Sequence, residues 1–124
     1  MRGTLLADLL SALGVSTRFV ALAALANPEQ VLRETTRLLW FESPINPTLG
    51  CVDIEAVASA CRTRGVVSVI DNTFACPLNQ APLTLGIDVC MHSATKYLNG
   101  HTDVTAGAIA GASELVVGWG ATAV

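Results

Sequence analysis

The sequence predicts an α/β fold: a largely parallel β-sheet with helical crossovers. Three observations carry that expectation. Segments with helical and strand patterning alternate along the chain, joined by short turns. Residues 66–70 form an apolar run between Gly65 and Asp71, the pattern of a strand covered on both faces. Hydrophobic residues make up 52% of the 124 residues and charged residues 14%, against a usual charged share of about 25%. A free-standing domain of this size has proportionally more surface to cover. The chain therefore reads as the inner layers of something larger.

The elements follow in order. Leucines at positions 5, 6, 9, 10 and 13 give residues 4–13 a helical face that stops at Gly14. Residues 16–22 read as a short strand. Asn27 supplies an N-cap, Pro28 the first helical position and Glu29 an early acid, opening a helix to about residue 34. Residues 37–41 form an apolar strand, ended by the proline-rich turn 42–48. Asp53 caps the next helix; its Ile54, Val57, Ala58 and Cys61 share one face, and Gly65 closes it. The strand at 66–70 follows, then a short helix-like stretch at 80–85, a strand at 88–92 and one more at 104–110. There is no internal repeat and no low-complexity linker.

Several function classes are excluded. Apolar runs are interrupted by Arg18, Arg33, Arg37, Arg62 and Arg64, so none reaches the roughly 18–20 residues of a spanning helix. The net charge of −3 leaves no electrostatic footprint for nucleic acid or an anionic membrane. Cys51, Cys61, Cys76 and Cys90 include no CxxC pair, which fits neither a zinc site nor a redox motif. They read as small buried thiols in a reducing compartment, and no metal is expected. Residues 1–13 carry Asp8 and lack a basic region followed by a long apolar core, so they do not read as a signal peptide.

Open α/β sheets bind ligands beyond the carboxyl ends of their strands. Three segments deliver polar residues there: 42–48, 71–74 and 93–101. Asp71 at a buried strand end is most often a cap or an ion-pair partner. Facing a cationic ring nitrogen, it would instead keep that nitrogen protonated, which a cofactor acting as an electron sink requires. Lys96 is the only lysine beside six arginines. Most lysines are solvated surface groups, but this one lies between a strand end and a Gly-containing turn. Schiff-base chemistry needs an amine that can lose its proton, and a lysine in a desolvated pocket can do so where arginine cannot. Ser93 and Thr95 flank it with hydroxyls able to bind phosphate, although singly such groups more often cap turns. Asn99-Gly100-His101 reads as a tight turn. Of the two histidines, His101 reads as a structural hydrogen-bonding group and His92 as a satisfied core residue.

Three motifs together resemble one family. Phe-Glu-Ser-Pro-Ile-Asn-Pro-Thr at 41–48, Asp-Asn-Thr-Phe at 71–74 and His-Ser-Ala-Thr-Lys-Tyr-Leu-Asn-Gly-His at 92–101, with Asp103 close behind, resemble the Cys/Met-metabolism PLP-dependent enzymes. That family includes cystathionine γ-synthase, the cystathionine lyases and methionine γ-lyase. The resemblance spans residues 40–107, and the step from Asp71 to Lys96 looks like the family's spacing. It implies pyridoxal 5′-phosphate as cofactor and Lys96 as the lysine that holds it and later moves protons. Asp71 resembles the partner of the pyridinium nitrogen, Ser93 and Thr95 phosphate-binding hydroxyls, and Asn46 the asparagine near the ring hydroxyl and substrate carboxylate. Residues 51–55 and 77–80 look closest to cystathionine γ-synthases, including plant ones.

The resemblance further implies the large PLP-binding domain of a fold-type I, aminotransferase-like enzyme, with residues 1–116 as its second half and 117–124 as a non-matching tail. Arg2-Gly3-Thr4 resembles the remains of a Gly-Gly-Thr segment. The family's phosphate-cradling loop, ring-stacking tyrosine and carboxylate-gripping arginine have no counterpart here. The expected activity is γ-replacement on an activated homoserine; the alternatives are a carbon–sulfur lyase, or an incomplete piece acting only in subunit association. The expected partners are a small amino-acid substrate and further copies of the chain, in the cytoplasm or, for a plant source, a plastid.

Overall fold

The computed structural model describes residues 2–118. Helix α1 (Arg2–Ala12) leads through an irregular stretch to a 3-10 turn (Leu22–Ala26) and the one-turn helix α2 (Pro28–Val31). Strand β1 (Leu38–Glu42), helix α3 (Ile54–Arg64) and strand β2 (Val67–Asp71) form a crossover unit. Helix α4 (Cys76–Asn79), a 3-10 turn (Pro82–Leu85), strands β3 (Val89–Ser93) and β4 (Gly107–Gly111) and helix α5 (Ser113–Gly118) complete the order.

The four strands lie in sequence order, β1 and β2 parallel, β2 and β3 parallel, β3 and β4 antiparallel. The sheet is largely parallel, as expected, with two of its three pairings parallel; β4 alone runs antiparallel, because the connection into it is a turn without a helix. A parallel partner needs a crossover that carries the chain back along the sheet; this turn simply reverses it.

Helix α3 is bounded as its sequence requires. Asp53 Oδ1 accepts the Ala56 N–H at 2.9 Å, and Gly65 takes a left-handed φ of 64° with its N–H returned to Arg62 and Cys61 carbonyls. Its buried face meets the sheet through Val57, Ala58 and Cys61, while Leu39, Phe41, Ile70 and Cys90 approach from the strands. Leu25, Val31 and Leu32 close the core from the side. Strand alternation sends Leu38 and Trp40 to the opposite face, where both are about half exposed.

Four expectations fail locally. Residues 16–22 form no strand: they are largely exposed and no neighbouring strand takes up their backbone, although the Arg18 guanidinium donates to the Val31 carbonyl. The helix expected to reach residue 34 stops at Val31, where Thr36 Oγ1 accepts the Arg33 N–H and turns the chain. Asn27 precedes that helix without a side-chain cap bond. Cys61 and Cys90 are buried thiols, but Cys51 is exposed and Cys76 only half-buried. Among the described residues no helix is long and apolar enough to cross a membrane. The expected tail lies outside the described residues from position 119 onward; Val117 and Gly118 end α5.

Candidate active-site edge

Because β1, β2 and β3 are parallel, their carboxyl ends meet at one sheet edge. Register aligns them: Glu42 stands opposite Asp71, Asp71 opposite Met91, and Ser93 opposite Gly107 at the start of β4. The polar segments expected to converge do leave the sheet together.

Asp71 and Ser93 are joined through a residue that sequence reasoning passed over. Asp71 Oδ1 accepts the Thr73 N–H at 3.0 Å and the Thr73 hydroxyl at 2.5 Å. Thr73 Oγ1 in turn accepts the Ser93 N–H at 2.7 Å. The Asp-x-Thr spacing of an Asx-turn was the available signal. Asp71 Oδ2 and Ser93 Oγ carry no hydrogen bond among the described residues.

From Ser93 the chain winds into the lysine turn. The Lys96 N–H donates to Ser93 O at 3.1 Å, and Gly100 N–H to Lys96 O at 2.8 Å. Gly100 has a φ of 75°, and Asn99 Nδ2 donates to Asp103 Oδ1 at 2.7 Å, which braces the far side. His101 Nδ1 lies 2.9 Å from Asn99 O, a bond within the turn. Tyr97 meets Phe74, from the segment after β2, edge to face at 6.3 Å. The Asp71 and Lys96 segments are thus linked both by hydrogen bonds and by an aromatic contact.

The surroundings of the other expected residues are more open or already occupied. Lys96 is exposed and not in a desolvated pocket. The Thr95 hydroxyl is engaged: it accepts the Ala106 N–H at 3.0 Å and donates to Ala106 O at 3.3 Å. That second bond is long, so the hydroxyl proton can be redirected to a better acceptor. Asn46 leaves the same edge after β1 but is exposed, its N–H 3.4 Å from Glu42 Oε1. Its amide makes no hydrogen bond with Asp71 or Ser93 among the described residues.

Behind the edge lies a buried polar network that sequence gave no means of finding. Asn72, 1% exposed, donates through Nδ2 to Gln80 O at 3.0 Å. Gln80 Nε2 donates to Asn72 Oδ1 and to Ser43 O, each at 2.7 Å. This ties the ends of β1 and β2 together. His92 is buried, its Nε2 3.3 Å from Cys90 Sγ. Burial, and secondarily the Asp71 charge, pushes the Cys90 thiol up to about 11.

Chemically, the edge presents a carboxylate oxygen able to accept from a cation, hydroxyls able to donate to an anion, and an amine able to attack a carbonyl. The comparisons with known proteins agree in kind. The family model for Cys/Met metabolism PLP-dependent enzymes matches residues 3–118. An L-methionine gamma-lyase of Pseudomonas putida is 47% identical over 103 residues, covering 83% of this chain and 26% of that protein. The chloroplastic cystathionine gamma-synthase 1 of Arabidopsis thaliana is 48% identical over 110 residues, 88% of this chain and 20% of that protein. The crystal structure of cystathionine gamma-lyase from Lactobacillus plantarum complexed with L-serine matches with a TM-score of 0.83 and 37% identity, over 92% of this chain and 30% of that one. The chain therefore spans between 20% and 30% of the length of these relatives, among which synthase and lyase names both occur. With a family model running through nearly all its described residues and a matching fold, this chain belongs to the Cys/Met-metabolism PLP-dependent enzymes.

Proposed function

We propose that the chain is the cofactor-lysine segment of a transsulfuration enzyme, most like a cystathionine γ-synthase acting on an activated homoserine. The observation that carries this reading is the bonded run Asp71–Thr73–Ser93, which sets a carboxylate, a free hydroxyl and the lysine turn at one sheet edge. When bound, pyridoxal 5′-phosphate supplies an electron sink for a substrate carbanion. The residues fit that group. Asp71 would accept from its ring nitrogen through Oδ2, the oxygen that Thr73 leaves open. Ser93 would donate to its phosphate, and Thr95 would do so by turning its proton away from Ala106 O. Asn46 would bind at the ring hydroxyl and the substrate carboxylate. Lys96 would hold the cofactor through Nζ and, once released, take and return the substrate's proton.

A lyase reading draws equal support from the methionine gamma-lyase and cystathionine gamma-lyase relatives. Formation of cystathionine, against release of ammonia and an α-keto acid, separates the two. A reading of another class, association with longer subunits without catalysis, is favoured by the exposure of Lys96. The proposed assembly is a homo-oligomer and the proposed location cytoplasmic, or plastid for a plant source.

One spectrum tests the central assignment. Purified chain mixed with pyridoxal phosphate is expected to develop the visible absorbance band of lysine-bound pyridoxal, and Lys96→Ala to abolish it. A band that survives Lys96→Ala refutes the lysine assignment; absence of a band in the wild type favours the associative reading.

A further inference from the structure

We propose that Thr73 is a positioning residue: its hydroxyl orients the Asp71 carboxylate toward a cationic ring and locks it to the strand end that leads to Lys96. The inference rests on the functional reading above and deepens it.

The proton arrangement is forced by the partners. The Ser93 N–H can only donate, so Thr73 Oγ1 accepts there. The ionised Asp71 carboxylate can only accept, so the single Thr73 proton goes to Oδ1. The backbone N–H of Thr73 reaches the same oxygen. One carboxylate oxygen thus takes two donors from one residue, while Oδ2 takes none among the described residues. Bonds to a charged acceptor are the stronger kind, and the β-branch of threonine restricts the side chain that makes them. Rotation of the carboxylate would break the hydroxyl bond, so Oδ2 keeps a fixed direction. Ser93, by the same bond, cannot move without carrying Thr73 and Asp71 with it. The acid and the lysine-bearing turn are therefore fixed relative to each other by a group that need not touch the cofactor.

Thr73→Val keeps the shape and removes the hydroxyl; Thr73→Ser keeps the hydroxyl. In the full chain, Thr73→Val is expected to weaken pyridoxal phosphate binding about tenfold, the effect of losing one hydrogen bond to a charged group. It should also raise the pH midpoint of the absorbance band. A ring held less firmly protonated leaves the nitrogen attached to Lys96 more basic. Thr73→Ser should preserve both properties. Without cofactor, the Ser93 amide should lose hydrogen-exchange protection in Thr73→Val and retain it in Thr73→Ser. In an Asp71→Asn background, Thr73→Val should change neither affinity nor midpoint further, which a merely structural role would not produce. A wild-type band that Thr73→Val leaves unaltered in strength and midpoint overturns the inference alone. A wild-type chain with no band overturns the functional reading and this inference together.

Discussion

Removing the Asn72 carboxamide is expected to destabilise the chain by a few hydrogen bonds' worth of free energy. Asn72→Ala deletes two hydrogen bonds to Gln80, at 3.0 and 2.7 Å. Each contributes about 1 kcal/mol net, and a stranded buried partner costs a further 1–3 kcal/mol or so. Gln80 is only half-buried, so water can reach its freed carbonyl and the lower figure applies. The sum is about 2–3 kcal/mol. Gln80→Ala should cost about as much, because it also strands the carbonyl of Ser43, a residue 1% exposed. The two losses share one bond, from Gln80 Nε2 to Asn72 Oδ1, so the double variant should fall short of additivity by about 1 kcal/mol. Urea unfolding followed by far-UV circular dichroism reads each value, with midpoints expected to drop by about 1–2 M. A loss below about 0.5 kcal/mol for Asn72→Ala, or strict additivity with Gln80→Ala, would refute the argument that this network clamps β1 to β2.

Other expectations follow from single contacts. Asp53→Ala removes the cap of α3 and should cost about 1 kcal/mol, read from the same urea curves. A Cβ on Gly111 would lie 2.7 Å from the Asp88 carbonyl oxygen, so Gly111→Ala must push β4 off β3. The expected loss is about 1–3 kcal/mol, with hydrogen-exchange protection falling first along β4. A thiol reagent at neutral pH should label exposed Cys51 well before Cys61 or Cys90. Burial, then the Asp88 charge, pushes Cys61 up to about 11 from the ordinary 9.0, and burial, then Asp71, does the same for Cys90. Above pH 9 the unfolded chain sheds protons that the folded chain retains, so stability should fall as pH rises from 9 through 11 and be untouched below that window. A flat unfolding midpoint across that range would contradict it.

Much of this was legible because the determinants are local. The apolar runs ending at Phe41, Ile70 and His92 mark three strands, and Asp53 with Gly65 marks α3 through cap chemistry confined to a few residues. Asp71, Ser93 and Lys96 stood out as polar groups just past strand ends, where a parallel sheet gathers them. What was not legible depended on partners distant in sequence. Residues 16–22 carry strand patterning, but a strand exists only if a neighbour accepts its backbone. The direction of β4 follows from what fills the connection before it, which apolar alternation does not encode. Thr73 and the Asn72–Gln80 pair acquire their roles from Ser93 and Ser43 across the sheet. Exposure of Lys96 is likewise a property of what stands around it and not of its own segment.

The reversal of chain direction at β4 also bears on how the molecule assembles in time. Of all strand partners, Ser93 and Gly107 are the closest in sequence, and the Thr95–Ala106 bonds close the same loop just inside them. Closing a short loop sacrifices less chain entropy than bringing together the parallel pairs, each of which must span a crossover. Contacts of low sequence separation form fastest. The turn that carries Lys96 can therefore nucleate early, and β2 then delivers Asp71 and Thr73 to a lysine segment whose ends are already joined.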